Sequence, residues 1–136
     1  MKVLFLCKAN VSRSQMAAAI YNQMTNSHDA DSAGVNVDVP NETLAERKQR
    51  LGASNTLDLM REAGFDLAHN KRTQLTKNMV KNYDRVISMY DEDLAPSWLK
   101  SDPRYEYWDI TDPFGKDMNV TRETKEKITA KIQELI

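Results

Sequence analysis

A single cysteine, Cys7, occurs in 136 residues. No internal disulfide can form, and a C-x-x-C redox pair or a thiolate-ligated metal cluster is excluded by the same count. Four glycines and four prolines are scattered singly, so nothing marks an interdomain linker, a low-complexity tract or an internal repeat. Neither sign of charge prevails: the net charge is -1, which provides no overall field for nucleic acid or an anionic membrane and leaves room only for a local cationic pocket. Long apolar runs are missing too. The opening VLFLC is far shorter than a membrane span or a secretory apolar core, and no small-residue cleavage pattern follows it. The expectation is a mature N-terminus and a cytoplasmic monomer with no nucleic-acid or membrane partner. His28 and His69 read as surface or hydrogen-bonding residues, and no metal is expected.

What is present is ordinary globular composition, with 40% hydrophobic and 29% charged residues, and a length that suits one domain over 1–136. Lys2 to Leu6 (KVLFL) predicts a buried strand. SQMAAAIYNQMT from Ser14 predicts a helix, capped by Ser12 or Ser14. Asp29 to Ala33 predicts a second strand, and Leu57 to Ala63 a helix stopped by Gly64. A short helix follows at Thr76 to Asn82, then strands at Asp84 to Met89 and Arg104 to Trp108, and a closing amphipathic helix at Thr121 to Leu135. Residues 35–55 show no clear period and predict a loop with a helical piece; within them ERKQR, 46–50, reads as a solvated face. Alternating strands and helices imply an α/β fold: a four-stranded, mostly parallel sheet flanked by helices on both faces.

Ligand sites in such sheets lie at the strand-to-helix loops. The first of these is CKANVSR, Cys7 to Arg13. Backbone N–H groups of a tight loop entering a helix N-terminus cradle an oxyanion, and the same field favours thiolate over thiol. Arg13 adds a permanently charged fork for two oxygens of a phosphoryl group. The pattern reads as a C-x5-R phosphate-binding loop with Cys7 as nucleophile. On its own a cysteine at a strand end is a small buried hydrophobe; the placement between strand and helix is what points to chemistry. Attack at phosphorus expels an alkoxide or phenoxide that needs a proton. Asp112, held extended by Pro113, is the candidate acid, with Asp109 as a nearby rival.

Five segments, VLFLCKANVSRSQMAAA, DSAG, EAGFDLAHNKRTQLT, YDRVISM and DPFG, together resemble the low-molecular-weight protein tyrosine phosphatase family, which shares its fold with thioredoxin-coupled arsenate reductases. The resemblance implies a phosphocysteine at Cys7 and phosphate held by Arg13 and by the backbone of Lys8, Ala9, Asn10, Val11 and Ser12. It implies Asp112 as acid and then base, Asn10 as a brace of the loop, and a hydrogen bond from Ser14 to the Cys7 sulfur. Phe114 would wall the substrate ring. No cofactor is implied. The substrate would be a phosphorylated protein or small aryl phosphate, with inorganic phosphate as product. Val11 stands where phosphotyrosine enzymes of the family carry an apolar branched residue and phosphoarginine enzymes carry threonine.

The family loop usually reads C-x-G-N-x-C-R-S-P, so Ala9, Ser12 and Gln15 are departures. If position 9 requires positive φ, alanine there costs about 1 kcal/mol or more and leaves the loop less well formed. Ser12 removes a neighbouring thiol that would trap an oxidised Cys7 as a disulfide. Three rival readings follow. An arsenate reductase would have to use an external thiol, because YDRVISMYDEDLAPSW carries no cysteine. A phosphocarrier of sugar transport would have no use for Arg13 and Asp112. A binding module would hold phosphate without turnover.

Overall fold

The structure is a computed structural model that describes residues 1–136. β1 (Val3–Cys7) is followed by α1 (Arg13–Thr25), β2 (Ala30–Gly34), α2 (Leu44–Leu51) and α3 (Asn55–Glu62). A 3-10 segment at Lys77–Asn82 leads into β3 (Arg85–Ser88), and a shorter one at Glu92–Leu94 precedes α4 (Ser97–Lys100), β4 (Tyr105–Tyr107) and α5 (Met118–Leu135). The four strands make one parallel sheet in the order β2-β1-β3-β4.

β1 is buried at every residue and central, which explains its uninterrupted apolar sequence. Its alternation divides the core in two. Val3 and Phe5 face a cluster built from α1, α3 and α5 residues such as Met16, Ile20, Met60, Ile128 and Ile132, whereas Leu4 and Leu6 pack with Val80, Val86 and Leu99 on the opposite face. Helical segments therefore cover both faces, as expected.

The strand order matters for the site. The chain leaves β1 for β2 on one side, then returns to β3 on the other, so the C-terminal end of β1 is the point where strand order reverses and a crevice opens. Cys7 is the last residue of β1.

Several boundaries shift by one to three residues from the sequence expectation, as element ends generally do. The 76–82 helix is a 3-10 turn, Lys77–Asn82, whose only buried residue is Val80; it has too little apolar face for a longer helix. Residues 35–55 are more ordered than their polarity suggests. α2 carries a full capping box in which the Thr43 hydroxyl accepts from Glu46 N and the Glu46 carboxylate accepts from Thr43 N. Its helical face is charged rather than apolar, which hides the period. For α1 Ser12 occupies the cap position without a side-chain capping bond, and Ser14 lies inside the helix; both hydroxyls are committed elsewhere, so neither caps it.

Candidate active site

The loop from Lys8 to Ser12 joins β1 to α1, and the backbone N–H groups of residues 9–12 donate to no acceptor within the protein. Asn10 holds the loop's shape. It is buried, with φ of 56°, in the left-handed region that asparagine tolerates better than most residues. Its side-chain amide donates to Ser14 Oγ at 2.8 Å and Ser32 Oγ at 2.9 Å, while its Oδ1 accepts from Thr73 N at 2.8 Å. Three chain segments are thereby tied to one turn. Ala9 has no positive φ, which corrects the expectation of a strained alanine: the left-handed residue of this loop is number 10.

Cys7 Sγ lies 3.0 Å from Ser14 Oγ. Because that hydroxyl already accepts a hydrogen bond from Asn10, its own proton is free to be directed at the sulfur. Ser12 Oγ pairs with Thr56 Oγ1 at 2.6 Å, fastening the loop to the start of α3. Gln15, the third departure, is buried, and its Nε2 lies 3.3 Å from both oxygens of Asn10.

Arg13 is buried, and its Nη1 donates to the carbonyls of Met89 and Ile110 just past β3 and β4, the latter at 2.9 Å. Those two carbonyls fix the guanidinium plane and leave its other edge for a ligand. Asp112 Oδ2 lies 3.6 Å from Arg13 Nη2, and Asp112 Oδ1 accepts from Phe114 N at 3.0 Å in the turn with Pro113. Cys7, Arg13 and Asp112 share one cleft of about 800 Å³ with Lys8, Ala9, Val11, Ser12 and Phe114. Asp109 does not line this cleft; it faces an adjoining hollow beside Tyr107. Asn10 and Ser14 sit behind the loop as supports rather than on the cleft surface.

Three features escaped sequence reasoning. Gly34, at the end of β2, packs directly beneath the loop: a Cβ there would lie 2.7 Å from Lys8 O and 2.8 Å from Asn10 N. Arg72 is 1% exposed; its Nη2 and Nε donate to Ala9 O at 3.1 and 3.2 Å, and it pairs with Asp38 and Glu42. The ERKQR stretch is not simply a solvated face. Arg50 pairs with Glu42 at 2.8 Å, and Arg47 is buried with its guanidinium 5.6 Å from the Phe114 ring centre. Both line the cleft, and residues 35–55 place arginines and Leu51 there and no aromatic ring. Hydrogen bonds from Arg72 hold the Asp38 carboxyl below its ordinary range, and those from Arg50 and Arg72 do the same for Glu42.

A crystal structure of a low-molecular-weight protein tyrosine phosphatase from T. tengcongensis has this fold, with a TM-score of 0.79, 24% identity and coverage of 99% of this chain and 97% of that one. A glutaredoxin arsenate reductase of Synechocystis is 27% identical over 137 residues, 99% of this chain and 95% of its own. A protein-arginine-phosphatase of Bacillus subtilis is 22% identical over 147 residues, covering 99% and 94% respectively. Residues 2–136 match the family model for low molecular weight phosphotyrosine protein phosphatases, and the chain belongs to that family.

Proposed function

We propose that this chain hydrolyses phosphate monoesters through Cys7, with a phosphotyrosyl side chain of a protein or a similar aryl phosphate as substrate. The observation that carries the reading is the convergence of Cys7, Arg13 and Asp112 on one cleft whose loop offers uncommitted backbone N–H groups. The phosphoryl oxygens would lie among those N–H groups and the free edge of Arg13. Cys7 sulfur attacks phosphorus as the ester oxygen departs, and Asp112 donates the proton that the leaving oxygen takes up. Water then attacks the phosphocysteine, giving its proton to the Asp112 carboxylate and releasing inorganic phosphate. Ser14 donates to the sulfur and so stabilises the thiolate that this second step expels. Val11 and the exposed Phe114 supply apolar surface at the cleft, which supports an aromatic leaving group.

Hydrolysis of para-nitrophenyl phosphate between about pH 5 and 7 tests this. Cys7→Ser abolishes turnover and Asp112→Asn lowers kcat by about a hundredfold or more. A folded parent that binds phosphate without turnover would refute the proposal and leave a binding module.

The similarity to an arsenate reductase supports a second reading, because arsenate presents the same tetrahedral oxyanion to the same cradle. Reduction to arsenite takes two electrons from two thiols. With Cys7 the only thiol in the chain, the second must come from outside. Arsenate-dependent oxidation of glutathione, with and without glutaredoxin, measures it; activity exceeding the phosphatase rate would favour this assignment.

A further inference from the structure

Six basic side chains, Lys8, Arg13, Arg47, Arg50, Arg72 and Lys116, line the cleft, against the carboxylates of Asp38 and Asp112. In a chain of net charge -1 this is a strong local excess. Lys8 and Lys116 are exposed, and the arginines other than Arg47 are already engaged. Arg72 and Arg50 share Asp38 and Glu42, and Arg13 donates to two carbonyls and faces Asp112. Arg47 differs from them. It is 9% exposed, yet its guanidinium makes no hydrogen bond and no ion pair with the protein, and its close neighbour is the face of Phe114 at 5.6 Å. Stacking uses the flat face of a guanidinium and leaves its N–H edges for an anion. Burial, and then the nearby Arg72 and Arg50, disfavour charge on Arg47, opposed only in part by the carboxylates of Asp38 and Glu42, which Arg50 and Arg72 already hold.

We propose that Arg47 reads a second anion on the substrate, a carboxylate side chain beside the phosphorylated residue, so that acidic phosphotyrosyl peptides are preferred. The inference rests on the phosphatase reading above and names the substrate class of the same cleft. The phosphoryl group occupies the loop and Arg13, Phe114 borders the ring, and the adjoining Arg47 takes the flanking carboxylate. The α2 segment thus contributes a charged contact to the cleft and no aromatic ring. The cationic excess also raises the encounter rate with acidic peptides, an effect that salt weakens.

The test is kcat/KM for two phosphotyrosyl peptides that differ only in glutamate or glutamine on both sides of the phosphotyrosine. It is run on the parent, Arg47→Gln and Arg47→Lys, with binding of the same pair to Cys7→Ser followed by fluorescence anisotropy. The acidic-to-neutral ratio cancels any loss common to both peptides. The parent is expected to prefer the acidic peptide by about tenfold, the size of one charge-assisted hydrogen bond. That ratio falls to about one in Arg47→Gln and recovers in part in Arg47→Lys. Equal use of both peptides by the parent, or a preference unchanged in Arg47→Gln, overturns the inference while leaving the phosphatase standing. Preferential binding by Cys7→Ser with no turnover in the parent does the reverse: it keeps Arg47 as the reader and sinks the hydrolase.

Discussion

At the scale of single residues the loop depends on Asn10 more than on its neighbours. Asn10→Ala removes four side-chain bonds and puts a residue with no side-chain hydrogen bonding into a left-handed conformation. Ala9→Gly, by contrast, relieves no strain and adds freedom to the unfolded chain. Thermal denaturation and para-nitrophenyl phosphate turnover should therefore show a large loss for the first variant. The second should lose at most about 1 kcal/mol and gain no activity. Cys7 has no second thiol to capture it when oxidised. Excess peroxide should carry it past the sulfenic stage, with dithiothreitol restoring no activity and mass spectrometry finding sulfinic or sulfonic acid at Cys7. Cys7 and Arg13 could be picked out because both ends of their loop lie six residues apart in the chain. Arg72 and Arg47 could not, since a basic residue in a polar stretch looks the same whether it is solvated or buried against a partner distant in sequence.

At the scale of elements, the end of β2 is the floor on which the loop rests. Gly34→Ala would drive a methyl group into the backbone at Lys8 and Asn10, neither of which can swing away as a side-chain tip could. The expected result is a displaced loop: a loss of more than tenfold in kcat/KM together with a lower melting temperature. A drop in stability alone, at full activity, would contradict the packing argument. The capping box of α2 is a local device of the usual kind, and Thr43→Ala should cost about 1 kcal/mol in urea denaturation. That box was readable in TLAE, yet the apolar period that normally announces a helix is weak in α2. Its buried residues are Leu44 and Arg47, and an arginine does not register as a core position.

For the whole molecule, the Arg50, Arg72, Asp38 and Glu42 cluster links the segment between β2 and α2, the last turn of α2 and the segment between α3 and β3. Both carboxyls ionise more readily folded than unfolded, so the stability they contribute is present above the ordinary carboxylate range, about pH 4 to 4.5. It is lost as pH falls through their lower folded values. The urea midpoint should accordingly drop on acidification towards about pH 3. Glu42→Gln should be less stable than the parent at neutral pH and show a shallower drop. Arg72→Met leaves Glu42 with Arg50 alone and removes the donors to Ala9 O, so its urea midpoint at neutral pH should fall below that of the parent.

The fold class followed from the chain alone, because alternating apolar strands and amphipathic helices of these lengths close into a parallel sheet in few ways. So did the pairing of Cys7 with Arg13, the proposed nucleophile and its arginine, which one loop carries together. The partners of that loop were decided by tertiary structure. Sheet order brings Gly34 under it, the end of β3 and the segment after β4 bring the carbonyls that orient Arg13, and the packing of α2 turns Arg47 into the cleft. Each of these is a contact between segments far apart in sequence, and local spacing cannot encode which charge will meet which.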